Sequence, residues 1–300
     1  MMSQEIRLCP ICGFSIGFQK KSKKTNLYAR CTNCKSIYSK CFASLKEIAD
    51  YYASYYSIEN LNIPNFIHES LKSTVSTFSK YRTANGNLCD FGFGAGALLQ
   101  VAHKDGWHCS GTEYSMDAIR LGKASGWEVH FGDLDEKDLP GPFDVITIIE
   151  TLEHVQDPSR LIEEASIRLR RGGLIYGTTP NGLSLNSRLL GEKWSVLSFP
   201  EHPILLSRQA LLSILTEAGF TSIEIKSRGF NPHDLLKFAR GKFTSGDAMK
   251  TTHLGRVQLG YELVAILGKN SFLSFIRDSI NFFLDIFNIG DSLVFRAIKL

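Results

Sequence analysis

Four cysteines fall in two pairs, Cys9-Pro-Ile-Cys12-Gly13 and Cys31-Thr-Asn-Cys34, with 18 residues between the pairs. A CxxC turn presents two thiolates to one side of an ion, so two such turns complete a tetrahedral site. This spacing suits structural zinc (Zn2+) held by Cys9, Cys12, Cys31 and Cys34. Gly13 permits the tight turn that aims backbone amides at the sulfurs. A stretch of about 40 residues with few apolar groups needs such a staple to hold a fold. A redox CxxC would sit at a helix N-terminus beside a βαβ unit, and neither pair has that setting. Cys41 is a substitute ligand only at poorer spacing.

A second group is Leu88-Cys-Asp90-Phe-Gly92-Phe-Gly94-Ala-Gly96, which ends an apolar run and opens a helical pattern. Glycines there let backbone approach a ligand that a Cβ would block. Taken alone the loop is ambiguous, because Gly92-x-Gly94-x-x-Ala97 also satisfies a dinucleotide fingerprint. Glu113, ending the next apolar run, could grip a ribose diol in either case. Asp90 favours a sulfonium ligand: a carboxylate suits the cationic amino end of S-adenosylmethionine and would repel a pyrophosphate. Gly132-Asp133-Leu134 then places a carboxyl acceptor where an adenine amino group would lie. Three acids at successive strand ends match the ligand edge of an open α/β sheet.

The elements that position these groups read as alternating strands and helices from Asn87 onward. Strands are expected at 88–91, 107–113, 127–131, 143–149, 174–178, 221–227 and 291–298. Helices are expected at 95–104, 115–124, 158–169 and 207–218. Ser115 caps one of these, Asp157-Pro158 opens another, and Gly172-Gly173 ends that second helix. The run 143–149 is nearly all apolar, as befits a central strand buried on both faces. The organisation expected is a zinc ribbon over 1–43, a helical linker or cap over 44–84, and a large α/β domain over 85–300. An acceptor-side insertion occupies about 229–290 of that domain.

Asp90-x-Gly-x-Gly-x-Gly96, Phe143-Asp-Val-Ile with Glu153-His154-Val, and Arg171-Gly-Gly-Leu with Thr179-Pro180-Asn181 resemble class I S-adenosylmethionine-dependent methyltransferases. The nearest branch contains the ubiquinone-biosynthesis O-methyltransferases. The likeness covers roughly residues 87–228, with Leu189–Trp194, Pro200-Glu-His202 and Gly290–Phe295 besides. It implies a Rossmann-like seven-stranded α/β sheet whose last strand, 291–298, inserts antiparallel. It also implies that Asp90, Gly92, Gly94, Gly96, Glu113, Asp133, Leu134 and Ile149 match the family's cofactor contacts. Glu113 departs from the Asp frequent there, and the longer acid still reaches a ribose.

Methyl transfer from a sulfonium needs alignment and, for a hydroxyl acceptor, a base. His154 and His202 are the catalytic candidates, because neutral imidazole is available near pH 7. Glu150-Thr-Leu-Glu153-His154 offers an alternative. Glu150 and Glu153, one turn apart on a helix, could hold a second divalent metal with His154 and His202, and that metal would lower the acceptor pKa. Solvated acids at a helix start are the competing reading.

The composition restrains the choice of acceptor. A formal net charge of +4 over 300 residues, with 43% hydrophobic residues, describes a globular chain without a global nucleic-acid signature. A small-molecule hydroxyl, on a sugar, polysaccharide precursor or secondary metabolite, is the expected acceptor. The alternative is RNA, held by the basic run Lys20-Lys21-Ser-Lys23-Lys24 inside the ribbon. No signal peptide and no run of about 18 apolar residues is evident, so a cytoplasmic enzyme without a transmembrane segment is expected. Residues 271–288 form a helix with a polar stripe (Arg277, Asn281, Asp285, Asn288) and an apolar arc too wide for one partner. Either it is a buried crossover, or its phenylalanines meet a homodimer partner or a membrane surface.

Overall fold

The computed structural model describes residues 8–14, 27–41, 65–132, 141–239 and 271–300. Its frame is a seven-stranded sheet in the order β5-β4-β3-β6-β7-β10-β9. The strands are β3 (Asn87–Phe91), β4 (His108–Glu113), β5 (Glu128–Phe131), β6 (Phe143–Ile149), β7 (Leu169–Pro180), β9 (Phe220–Arg228) and β10 (Ser292–Lys299). Strands β3 to β7 run parallel, whereas β10 runs antiparallel between β7 and β9. The expected α/β, Rossmann-like fold with its inverted last strand is present. At that inversion Phe295 lies opposite Gly177, and a Cβ on Gly177 would overlap the Phe295 ring and the Ile148 carbonyl. The glycine makes room for the inserted strand.

Alternation along the central strands separates two cores. Leu88, Val145 and Leu174 face one side, packed with α1 (Asn65–Ser76), α2 (Ala97–Lys104) and α3 (Met116–Ala124). Cys89, Ile146 and Ile175 face the other, with α4 (Pro158–Arg168) and α6 (Arg208–Glu217). Ser115, Asp157 and Ser207 each cap a helix, accepting from the amides of Ala118, Arg160 and Ala210. Helix α4 ends at Arg168, not at the glycine pair. Gly172 and Gly173 lie inside β7, where the four residues between Leu169 and Leu174 stand against the single residue, Asp144, between Phe143 and Val145 on β6. The fold of the chain back on itself there needs Gly172 at φ +73°.

The N-terminal region is built onto this body. Strands β1 (Tyr28–Arg30) and β2 (Ile37–Ser39) form an antiparallel pair, and β2 pairs with β8 (Ile204–Leu205) of the large domain. Cys9, Cys31, Cys34 and Tyr38 share one apolar cluster with Ile204, Leu206, Ala210 and Leu211. An N-terminal module with a core of its own is therefore not what is observed. Likewise Val75 and Phe78 are buried against the sheet with Leu99 and Trp107, so residues 65–81 belong to the α/β body. The remainder of the expected linker, 42–64, lies outside the described residues, as do the basic run Lys20–Lys24 and residues 240–270 of the insertion.

Two short helices from the acceptor-side half, α5 (Leu185–Leu190) and α7 (His233–Ala239), complete the described body together with α8 (Ser271–Ile286). Helix α8 reverses the expected use of its polar stripe. Asn281 accepts from the Gly229 amide at 3.0 Å, and Asp285 accepts from the Ser227 amide at 2.8 Å while pairing with Arg208 at 3.1 Å. The stripe faces β9, and Phe275, Phe282, Phe283 and Phe287 are exposed. Among the described residues no helix is long and apolar enough to cross a membrane.

The shared core has a measurable consequence. Cys34→Ser removes one ligand-competent sulfur that is itself packed against α6-side residues. Calorimetry should show one transition of the whole chain moved to lower temperature, not early melting of a separate module. The loss should reach several degrees, since a domain of this size moves about 2–4 °C per kcal/mol.

Candidate active site and cysteine centre

All parallel strands end at one edge of the sheet, where an open α/β fold binds ligands. The loop after β3 turns there through Gly92, Gly94 and Gly96, at φ +70°, +53° and +73°. Three alternate left-handed residues in so short a span select glycine. Space selects two of them again: a Cβ on Gly92 would lie 2.7 Å from Thr151 Oγ1, and one on Gly96 would lie 2.5 Å from the Trp127 ring. The loop is as much shaped by packing as by access for a ligand.

Glu113, at the end of β4, holds this loop. Its Oε2 accepts from the Gly94 amide at 2.8 Å, and Oε1 accepts from the amides of Tyr114 and Ser115 at 2.7 and 3.2 Å. Burial raises its pKa despite those three donors. Asp90, within β3, is 3% exposed and accepts from Thr147 Oγ1 at 2.7 Å. Burial pushes its pKa up to about 7, with Thr147 opposing and Glu113 adding repulsion. Asp133 and Leu134 lie outside the described residues; Gly132, just before them, donates to the Glu113 carbonyl at 3.1 Å.

Beyond β6 the chain leaves Ile149 through Glu150, a non-glycine residue at φ +49°. Such strain persists only where the surroundings over-determine it. Here the Glu150 amide donates to the Thr178 carbonyl at 2.9 Å, and Thr151 Oγ1 donates to the Phe91 and Ile149 carbonyls. Residues 151–156 are turns, so Glu150 and Glu153 do not share a helix as expected. Left-handed Glu150 breaks the chain direction, and Glu153 is turned inward instead. It is fully buried, and its Oε2 accepts from Thr179 Oγ1 at 2.9 Å. Burial, with Glu150 nearby, raises its pKa well above the ordinary range.

The two histidines meet although 48 positions separate them in the chain. Their rings lie edge to face with centroids 4.7 Å apart. His154 Nδ1 is 3.1 Å from the Glu201 carbonyl, and His202 Nδ1 is 2.6 Å from the Val196 carbonyl. A carbonyl oxygen only accepts, so each Nδ1 carries the proton and each neutral ring keeps its lone pair on Nε2. His154 Nε2 lies 3.9 Å from Glu153 Oε1, and one ligand atom from each of Glu153, His154 and His202 falls within 4.8 Å of the others. Glu150 is outside that cluster. Glu201, buried beside it with Oε1 3.9 Å from His202 Nε2, was visible in the sequence only as part of Pro200-Glu-His202.

The four cysteines also converge. Cys9 and Cys34 sulfurs lie 3.6 Å apart, as do those of Cys12 and Cys31, and all four are within 4.8 Å. Sulfurs about 2.3 Å from a tetrahedral ion stand roughly 3.8 Å from one another, so the set fits. The two turns are near copies: Gly13 donates to the Cys9 carbonyl at 2.9 Å and Lys35 to that of Cys31 at 3.1 Å, with φ +64° and +65°. The contact between the Cys9 and Cys34 sulfurs lowers the Cys34 pKa while raising that of Cys9.

A family model described as a methyltransferase domain matches residues 65–225. The chain belongs to this family. Among similar proteins, the ubiquinone biosynthesis O-methyltransferase of Colwellia psychrerythraea is 29% identical over 160 residues, 48% of this chain and 65% of that one. That of Thiobacillus denitrificans is 26% identical over 163 residues, 50% and 70% of the two chains. The match thus spans about two thirds of these relatives' length. A solved S-adenosylmethionine-dependent methyltransferase of Archaeoglobus fulgidus has the same fold, with a TM-score of 0.50 at 20% identity over 77% of this chain and 94% of that one. The matched residues hold the glycine loop, Glu113, both histidines and β8. The cysteine pairs precede them.

Asp90 gives the methyltransferase domain a pH signature. A carboxyl whose folded pKa is raised from 3.8 to about 7 stabilises the fold below pH 4 and loses that contribution as pH rises through 7. Asp90→Asn keeps an acceptor for Thr147 but cannot ionise. Urea unfolding of unliganded protein should show the variant near wild type at pH 4. It should be more stable at pH 8, by up to ~4 kcal/mol.

Proposed function

We propose that this chain transfers a methyl group from S-adenosylmethionine to a hydroxyl of a small molecule, such as a sugar, polysaccharide precursor or secondary metabolite. What supports the reading is a sheet edge bearing a glycine loop tied to a buried carboxylate, together with two imidazoles that meet beyond β6. The O-methyltransferase names of the relatives support an oxygen acceptor. We assign Glu113 to the ribose, Gly92 to Gly96 to backbone approach, and Asp90 to the cationic amino end, as the family resemblance implies. Ile149, with Asp133 and Leu134, would border the adenosine.

S-adenosylmethionine supplies an activated methyl on a sulfonium that leaves as a neutral thioether. The acceptor oxygen forms the new C–O bond as the S–C bond breaks, and its proton passes to Nε2 of His154 or His202. The Nδ1 bonds to the carbonyls of Glu201 and Val196 hold both rings in the tautomer that can take it. Positioning and base together are worth several powers of ten in rate. In the cysteine centre we assign structural zinc to Cys9, Cys12, Cys31 and Cys34.

A second reading of the same cluster is favoured by the Glu153, His154 and His202 atoms gathered within 4.8 Å. Histidines that donate Nδ1–H to carbonyls are oriented as metal ligands commonly are. A divalent ion there would lower the acceptor pKa in place of a protein base. Dialysis against a chelator, then titration with Mg2+ or Mn2+, separates the two. Mn2+ binding lost in His202→Gln supports the metal, and full turnover without any divalent ion supports the imidazole base.

The assignment itself is tested by calorimetric titration. S-adenosylhomocysteine should bind at about micromolar Kd, roughly −8 kcal/mol, and NAD should not. Gly94→Arg should abolish binding with the fold intact; Asp90 is too buried for the same change. Tight NAD binding without affinity for the thioether would overturn it.

A further inference from the structure

The segment that carries His202 is held from two sides. Three consecutive carbonyls, of Glu201, His202 and Pro203, take different partners. His154 Nδ1 donates to the first at 3.1 Å, Tyr28 Oη to the second at 3.0 Å, and the Ser39 amide to the third at 2.8 Å. Tyr28 lies on β1 and Ser39 on β2, so two of the three bonds come from the cysteine ribbon. The third belongs to a candidate catalytic ring. Immediately beyond, β8 pairs with β2, and Ser207 exchanges bonds with the ribbon through Ser36 Oγ and the Cys34 carbonyl.

We propose that Tyr28 is a positioning residue for the acceptor side of the site, through which the cysteine ribbon fixes the 201–203 segment and hence both histidines. The reasoning is mechanical. A peptide plane is rigid, so a bond to the His202 carbonyl fixes the direction of the plane that runs from the His202 Cα to the Pro203 ring. The Glu201 carbonyl that orients His154 and the Cα that carries His202 adjoin the peptide unit that Tyr28 grips. The phenol is well fitted to this task, because it crosses from the ribbon with a fixed ring. Tyr28 packs against the cluster of Ile37, Leu190, Trp194 and Leu205, which restrains the ring. Burial, with Glu201 nearby, raises the Tyr28 pKa above the tyrosine range, so the group stays a donor. Arg30, another ribbon side chain that reaches the body, bonds the Gly182 carbonyl at 2.7 Å and Ser187 Oγ at 2.8 Å, away from this segment. It docks the ribbon without gripping the histidines.

The proposal rests on the histidines serving the acceptor, and its test is kept separate from that reading. Full-length, metal-loaded protein carrying 15N-histidine is compared as wild type, Tyr28→Phe and Arg30→Met, with His154→Gln and His202→Gln assigning the two imidazoles. Tyr28→Phe keeps the ring and removes only the donor. Expected are altered Nε2 and Nδ1 resonances for His154 and His202, the other histidines unmoved, and S-adenosylhomocysteine affinity within about twofold of wild type. Arg30→Met should lower the melting temperature and leave those two resonances in place. Unchanged His154 and His202 signals in Tyr28→Phe overturn the proposal. So does an equal effect of Arg30→Met, or unfolding of Tyr28→Phe, since each makes the tyrosine merely structural. Failure of the wild type to bind S-adenosylhomocysteine would instead count against the functional reading, while the histidine signals still report on Tyr28.

Discussion

Four carboxylates, Asp90, Glu113, Glu150 and Glu153, are gathered at one edge of the sheet, and burial raises the pKa of every one. Neighbouring anions in a medium of low polarity cannot all ionise without donors or cations to compensate. Much of the local architecture supplies donors: Thr147 for Asp90, three amides for Glu113, Thr179 for Glu153. The remaining imbalance is a demand for positive charge. Such an edge suits a cationic ligand, in keeping with the co-substrate proposed above.

The same economy governs the cysteine region. An isolated β1–β2 pair has too little apolar surface to hold itself, so it borrows β8 and the α6-side core. Borrowing works in both directions. The segment preceding β8 gains partners for its carbonyls, and it is this segment that brings His202 to His154. A ribbon that looks like an appendage thus supports the segment that carries His202.

Helix α8 shows a related inversion. Its polar stripe is spent inward, with Asn281 and Asp285 taking the amides at the end of β9, so the phenylalanines are left outward. The buried Ser227 amide in particular needs a partner, because an unpaired buried amide costs about as much as a large side chain gains.

The strand–helix alternation from Asn87, the helix starts at Ser115 and Asp157, the two CxxC turns and the inserted last strand were all legible in the sequence. Each follows from local periodicity, a short motif or a family pattern whose reach is a few residues. The glycine loop and Glu113 were legible for the same reason, since both sit at strand ends that the pattern fixes. What the sequence could not disclose depends on contacts between distant segments. Nothing local marks Glu150 as left-handed, and helical spacing of Glu150 and Glu153 misled because β6 ends in a turn tied to Thr178. Thr147 and Thr179 read as ordinary strand residues until the fold set them beside carboxylates. The sequence by itself determined the sheet, its ligand edge and four converging sulfurs. Only the tertiary structure decided that the ribbon pairs with β8 and that Tyr28 reaches His202, because a hydrogen bond across 174 positions leaves no periodic trace in either segment.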